Sequence, residues 1–260
     1  MPDPARPSRR QTTFAVVTPL ASIFGSGFLI IVPVLERTLG VLSVFGAAAV
    51  CGLAWLAGTA IRHCVQVVEP RVEDGTLDTV TRRLDRSADA VIVVAYVISV
   101  ALYLRILAEY IFAFVGEGSP GGERALACVM VVVIVAVGIT RGFHGLDLLE
   151  RIALLAVLVL VVALIAVLFV HDAHTLLGGR LTLPAGPPVG VGRMLLTPGG
   201  LVITVQGFET VRYLGAQYDT QARVHASRVA QLLSTAVYLA LVTVATLVKL
   251  TIALLAEPAG

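Results

Sequence analysis

Of the 260 residues, 57% are hydrophobic and only 14% charged, at a mean hydropathy of +0.92 and a formal net charge of +2. So little charge cannot cover the surface of a soluble domain of this size, which leaves an integral membrane protein. The small net charge gives no sign of a nucleic-acid partner, and three scattered cysteines (Cys51, Cys64 and Cys128) exclude a disulfide framework or a zinc site.

A helix that crosses a bilayer needs about 20 mostly apolar residues. After a cytoplasmic tail at 1–12, seven stretches qualify: 13–35, 40–62, 88–115, 123–140, 150–170, 194–213 and 228–255. The first is too long for a signal peptide and has no cleavage site, so it is expected to remain as a transmembrane helix. The second inner loop carries Leu77, Val80 and Leu84 at helical spacing, which predicts a short amphipathic helix on the inner membrane surface. The outer loop at 172–193 is rich in Gly and Pro and predicts irregular chain. His171 and His174 beside it lack a third ligand, so no metal site is assigned.

Basic residues set the orientation, because Lys and Arg collect in cytoplasmic loops. Thirteen lie on one side: Arg6, Arg9 and Arg10; Arg62, Arg71, Arg82, Arg83 and Arg86; Arg141 and Arg151; Arg212, Arg223 and Arg228. Four lie on the other side, Arg37, Arg124, Arg180 and Arg193, while Arg105 and Lys249 fall within crossings. The expected topology is a multi-pass protein of the cell (inner) membrane, N terminus cytoplasmic and C terminus outside.

Two crossings carry helix-weakening residues at mid-depth. The first contains Gly25-Ser26-Gly27, and the sixth contains Gln206-Gly207-Phe208-Glu209. Each glycine weakens a helix by roughly 1 kcal/mol. Five crossings apart, the two segments run in opposite directions. Paired breaks in such inverted segments point to the central site of a transporter. Backbone groups freed there are tolerable only where they line a cavity or meet a ligand.

The third crossing sets Tyr96, Ser99, Tyr103 and Tyr110 on one face, with Arg105 and Glu109 opposite as an i, i+4 ion pair. Tyr103 is the site candidate there, since its hydroxyl could reach a bound polar group. The seventh crossing presents Gln231, Ser234, Thr235, Tyr238, Thr246 and Lys249 as a stripe towards the bundle, with no site role assigned. Glu209 follows the break in the sixth crossing. It is read either as a protonatable group that moves with a cycle or as the gate partner of Arg212 or another inner arginine.

Ile23-Phe24-Gly25-Ser26-Gly27-Phe28 resembles the first-helix signature of the amino acid–polyamine–organocation (APC) superfamily of transporters. Gln206-Gly207-Phe208-Glu209 resembles its sixth-helix signature, and the stretch from Gly145 to Arg151 is similar to the segment that enters the fifth helix. The resemblance implies an all-α polytopic bundle of the five-plus-five inverted-repeat (LeuT-like) fold. Residues 13–171 would form the first five-helix repeat and 194–260 the start of the second, apparently truncated after the seventh helix. It implies a secondary active permease for amino acids or related amines, working by alternating access as an ion-coupled symporter. No cofactor is expected beyond a proton or sodium ion as the coupling ion. Substrate binding is assigned to Ser22, Gly25, Ser26, Gly27, Tyr103, Gln206, Gly207 and Phe208. Gating or proton-linked roles are assigned to Glu209, Arg105 and Glu109. The expected partners are a small-molecule substrate, membrane lipid and a chain supplying helices 8–10.

Two alternatives stand beside this reading. One is a non-transporting fragment or accessory subunit. The other is a seven-helix retinal-binding photoreceptor, suggested by Lys249 and opposed by the single tryptophan, Trp55. An enzyme is not expected, because no catalytic Ser/His/Asp grouping or phosphate loop stands at a workable spacing.

Overall fold

The computed structural model describes residues 15–24, 27–116, 119–177 and 190–256. They are mostly helical, with no strand among the described residues, and the fold class is an all-α membrane bundle. In chain order the α-helices are α1 (Val17–Ile23), α2 (Gly27–Leu39), α3 (Ser43–His63), α4 (Glu69–Glu73), α5 (Thr79–Val115), α6 (Pro120–Leu177), α7 (Val191–Leu201) and α8 (Thr220–Ala256). Two 3₁₀ segments, Val202–Val205 and Phe208–Leu214, follow α7. Among the described residues, five stretches are long and apolar enough to cross a membrane: Ile30–Glu73, Thr79–Val115, Pro120–Gly142, Leu148–Val170 and Thr220–Leu247. The first and sixth expected crossings are not among them as whole rods, because each is divided into shorter pieces.

Local chemistry explains most of the boundaries. Between α2 and α3 the chain passes Gly40 at φ +53°, a left-handed conformation that glycine adopts without a Cβ penalty. The Ser43 hydroxyl donates to the Gly40 carbonyl and closes that turn. Helix α5 starts at the N-cap Asp78, whose Oδ2 accepts from the amides of Val80 (3.1 Å) and Thr81 (3.0 Å). It stops at Gly116, φ +83°.

Nothing between those two caps is Gly or Pro, so α5 runs without interruption for 37 residues, about 55 Å. This corrects the expectation of a separate amphipathic helix near 76–86. Leu77 precedes the helix and is buried, while Val80 and Leu84 sit exposed on the first turns of the same rod. The expected inner loop near 141–149 likewise contracts to a kink at Gly142 (φ 61°, ψ −160°), within α6. At the other end α6 continues to Leu177, so the outer irregular loop begins later than expected; 178–189 lie outside the described residues.

The chain divides into two compact units: Met1–Val65 with Ala153–Gly260, and Gln66–Ile152. The core of the first unit joins Ile23 and Phe24 with Ile31 and Leu35 of α2, Val50, Cys51 and Ala54 of α3, Val205 and Phe208, and Tyr238 and Leu241 of α8. The second unit contains α5, on which Ser99 and Ala108 are buried and many valines, including Val91, Val94 and Val97, are exposed. An apolar outer surface of this kind suits hydrocarbon and not water.

Candidate functional site

Both crossings that the glycines mark are broken, and the breaks meet within the first unit. Helix α1 ends at Ile23, with Phe24 already non-helical (φ −81°, ψ 26°), and α2 begins at Gly27. Gly25 and Ser26 lie outside the described residues. In the sixth crossing α7 tightens into the first 3₁₀ segment. Gln206 is then fully extended (φ −76°, ψ 161°), Gly207 takes φ +136°, and the second 3₁₀ segment starts at Phe208. Only glycine adopts the Gly207 conformation without strain.

Glycine is required at the contact between the breaks for a second reason. A Cβ on Gly207 would stand 2.6 Å from the Ile23 nitrogen and 2.7 Å from the Ser22 carbonyl carbon. A Cβ on Gly27 would overlap the Thr204 carbonyl. The two breaks therefore touch backbone to backbone at two points: Gly207 against the end of α1, and the start of α2 against the first 3₁₀ segment. Ser22 is exposed and lies beside Gly207, Gln206 is half-buried, and Phe208 is packed into the apolar core.

Breaking a helix orphans carbonyls. In a continuous helix Ile23 O would accept from residue 27 and Thr204 O from residue 208. Here one side chain from α8 serves both: the Tyr238 hydroxyl donates towards Ile23 O (3.1 Å) and Thr204 O (3.0 Å). Tyr238 is fully buried, and its ring stacks on Phe24 with centroids 6.0 Å apart. Sequence reasoning placed Tyr238 on the bundle-facing stripe but gave it no site role. The signal was its position among Gln231 and Ser234, which are buried with it.

Glu209 answers the break from the other side. Its Oε2 accepts from the Gly207 N–H at 2.8 Å, while the Thr210 amide and hydroxyl return to Gly207 O at 3.2 and 2.7 Å. A carboxylate reaching back to the first amide of a helical segment also meets the positive end of its dipole. This bond to its own backbone was in neither reading of Glu209, and it satisfies one oxygen of the buried carboxylate at the break.

Below the breaks α3 and α8 share a polar seam. Arg62, buried, donates to the Gln231 side-chain oxygen, to Ser227 Oγ (3.4 Å) and to Thr59 Oγ1 (2.8 Å), and its guanidinium lies 4.7 Å from the Trp55 ring centroid. Gln231 in turn donates to Ala54 O at 2.8 Å. Gly58 gives it room, since a Cβ there would overlap the Gln231 amide. Arg223, also buried, donates to the carbonyls of Val211 and Arg212 and so ties α8 to the second 3₁₀ segment.

The remaining candidates belong to the second unit. Tyr103 is half-buried on α5. Arg105 Nε donates to Glu109 Oε1 at 3.0 Å, with side chains 63% and 46% exposed, so the i, i+4 pair forms on an outer face of that helix. The side chain of Lys249 lies outside the described residues, as do those of His171 and His174.

A family model described as "APC superfamily transporter" matches residues 5–256. The chain belongs to the APC superfamily. An uncharacterized protein of Aquifex aeolicus (strain VF5) is 32% identical to this APC-superfamily chain over 234 residues, which is 88% of the chain and 56% of the relative. The chain thus spans little more than half the length of that relative. No solved structure matches it. Membership in a transporter superfamily takes the place of the photoreceptor reading.

Proposed function

We propose that this APC-superfamily chain moves an amino acid or a related amine across the cell membrane by alternating access, with substrate held between the breaks of the first and sixth crossings. The observation that carries the reading is the pair of abutting breaks, Phe24 to Gly27 and Gln206-Gly207, which frees polar backbone groups at one point of an apolar core. Half-helix ends there offer amides to a carboxylate and carbonyls to an ammonium. In this reading Ser22, Gly25, Ser26, Gly27 and Gln206 line the site and Phe208 backs it. Gly207 shapes it, and Glu209 holds the start of the second 3₁₀ segment. The coupling ion is a proton or sodium, and the basic loops keep the N terminus in the cytoplasm.

The test is a thermal-shift screen of amino acids and amines at two pH values, with and without sodium. A ligand that binds only the folded protein raises its melting temperature by mass action. Gly207→Leu, which fills the contact between the breaks, is expected to abolish that shift. A full shift in that variant overturns the assignment.

A second reading has the chain working only alongside a further piece that supplies helices 8–10. The Aquifex relative, of which the match covers 56%, supports it. Uptake by proteoliposomes that appears only when a separately expressed C-terminal piece is added would favour this version.

A further inference from the structure

We propose that Tyr238 is a positioning residue, a latch whose hydroxyl ties the leading half of one broken crossing to the leading half of the other. The inference rests on the alternating-access reading above and adds a residue to it.

The two crossings run in opposite directions, so their leading halves lie on opposite sides of the membrane. The glycine contacts join halves on the same side. Gly207, at the head of the second 3₁₀ segment, meets Ser22 and Ile23 of α1, and Gly27 of α2 meets Thr204 of the first 3₁₀ segment. Tyr238 does the opposite. Its hydroxyl reaches Ile23 O, at the end of α1, and Thr204 O, next to the break after α7. It is the crosswise link between a pair of half-helices facing one side and the pair facing the other.

A hydroxyl has a single proton. Shared between two carbonyls at 3.1 and 3.0 Å, it holds both sides closed. Swinging α1 and the Phe208–Leu214 segment away together breaks the bond to Ile23 O and gives the whole proton to Thr204 O. Opening the opposite side does the reverse. In either open state the buried hydroxyl keeps a partner, so the latch switches without leaving an unsatisfied donor in the core. Stacking on Phe24 keeps the ring in place.

The test uses thiol accessibility and needs no substrate. In a chain with Cys64→Ala and Cys128→Ala, the buried Cys51 remains as an internal reporter of core integrity. Val211→Cys places a second thiol on the Phe208–Leu214 segment, at a position that is fully buried while that segment is closed. The probe is a membrane-impermeant methanethiosulfonate reagent, applied to inside-out and right-side-out vesicles. Tyr238→Phe keeps the ring and removes only the hydroxyl. We expect it to raise the labelling rate of the thiol introduced by Val211→Cys about fivefold in inside-out vesicles, the population change that accompanies loss of one ordinary hydrogen bond. Cys51 stays protected. Ser234→Ala removes a hydroxyl that bonds only within α8, to Gln231 O, and is expected to leave the rate unchanged. An unchanged rate in Tyr238→Phe, an equal rise at Cys51, or the same rise in Ser234→Ala overturns the latch. A failed ligand screen leaves this result standing, and a failed latch leaves the carrier reading standing.

Discussion

Gly207→Ala is the most direct probe of the abutting breaks. The substitution adds one carbon where two independent costs meet. At φ +136° a residue with a Cβ is strained, by about 1–3 kcal/mol. The new carbon also stands 2.6 Å from the Ile23 nitrogen and 2.7 Å from the Ser22 carbonyl carbon. Both are backbone atoms, which cannot rotate aside as a side chain can, and forced overpacking costs about 1–3 kcal/mol more. Together these make roughly 2–6 kcal/mol, or a fall in melting temperature of about 5–20 °C for a chain of this size. The assay is thermal unfolding of purified protein in detergent. Gly52→Ala is the reference, because a Cβ there, on the exposed face of α3, meets nothing within 4 Å. It is expected to be neutral or to stabilise by about 0.5–1 kcal/mol. If Gly207→Ala melts within about 1 °C of the parent, the backbone contact between the breaks is not formed and the site described above is wrong.

Glu209→Ala removes the acceptor for the Gly207 amide and is expected to cost about 1–3 kcal/mol in the same melt, whereas Glu209→Gln keeps an oxygen in place and costs less. Equal losses in the two variants would mean that the charge matters and not the cap. At the α3–α8 seam, Gln231→Leu leaves the buried Arg62 guanidinium without a principal acceptor, at roughly 2 kcal/mol. The double variant Arg62→Met with Gln231→Leu recovers most of that loss, and a strictly additive double variant would contradict the coupling. Outside the membrane segments, hydrogen bonds from Thr81 hold the Asp78 carboxyl below its ordinary value of 3.8. A depressed native pKa means that the cap stabilises fully above 3.8 and is lost as pH falls through the lower native value. Hydrogen exchange, corrected for intrinsic rates, should show Val80 and Thr81 losing protection in that acid range, and Asp78→Ala should show weak protection at every pH.

Much of this protein is legible along the chain, because a membrane makes strong local demands. Length and hydropathy suffice to locate α3, α5 and α8 as crossings, since hydrocarbon leaves a lone apolar stretch no choice but a helix. Gly25-Ser26-Gly27 and Gln206-Gly207 mark where the rods fail, since a glycine weakens a helix wherever it lies. The ends of helices were less legible. Nothing in the charged start of α5 announces that it continues the crossing, and only the lack of a breaker between Asp78 and Gly116 makes it one rod.

What tertiary structure alone decided is the company each break keeps. Composition cannot say that Gly207 lies against Ser22, or that Gly27 lies against Thr204, because those contacts depend on how separate helices approach. Nor can it say which donor reaches an orphaned carbonyl. Tyr238 stands 215 residues from Ile23 and 34 from Thr204, and its hydroxyl is one among several on a polar stripe. Glu209 shows the same limit at short range. Its charge suggested a distant arginine, whereas its bond to its own backbone depends on the extended Gln206 and the turn at Gly207, which bring Oε2 to the Gly207 amide. A broken helix can be read from the residues that weaken it, whereas the groups that satisfy the break are chosen by packing.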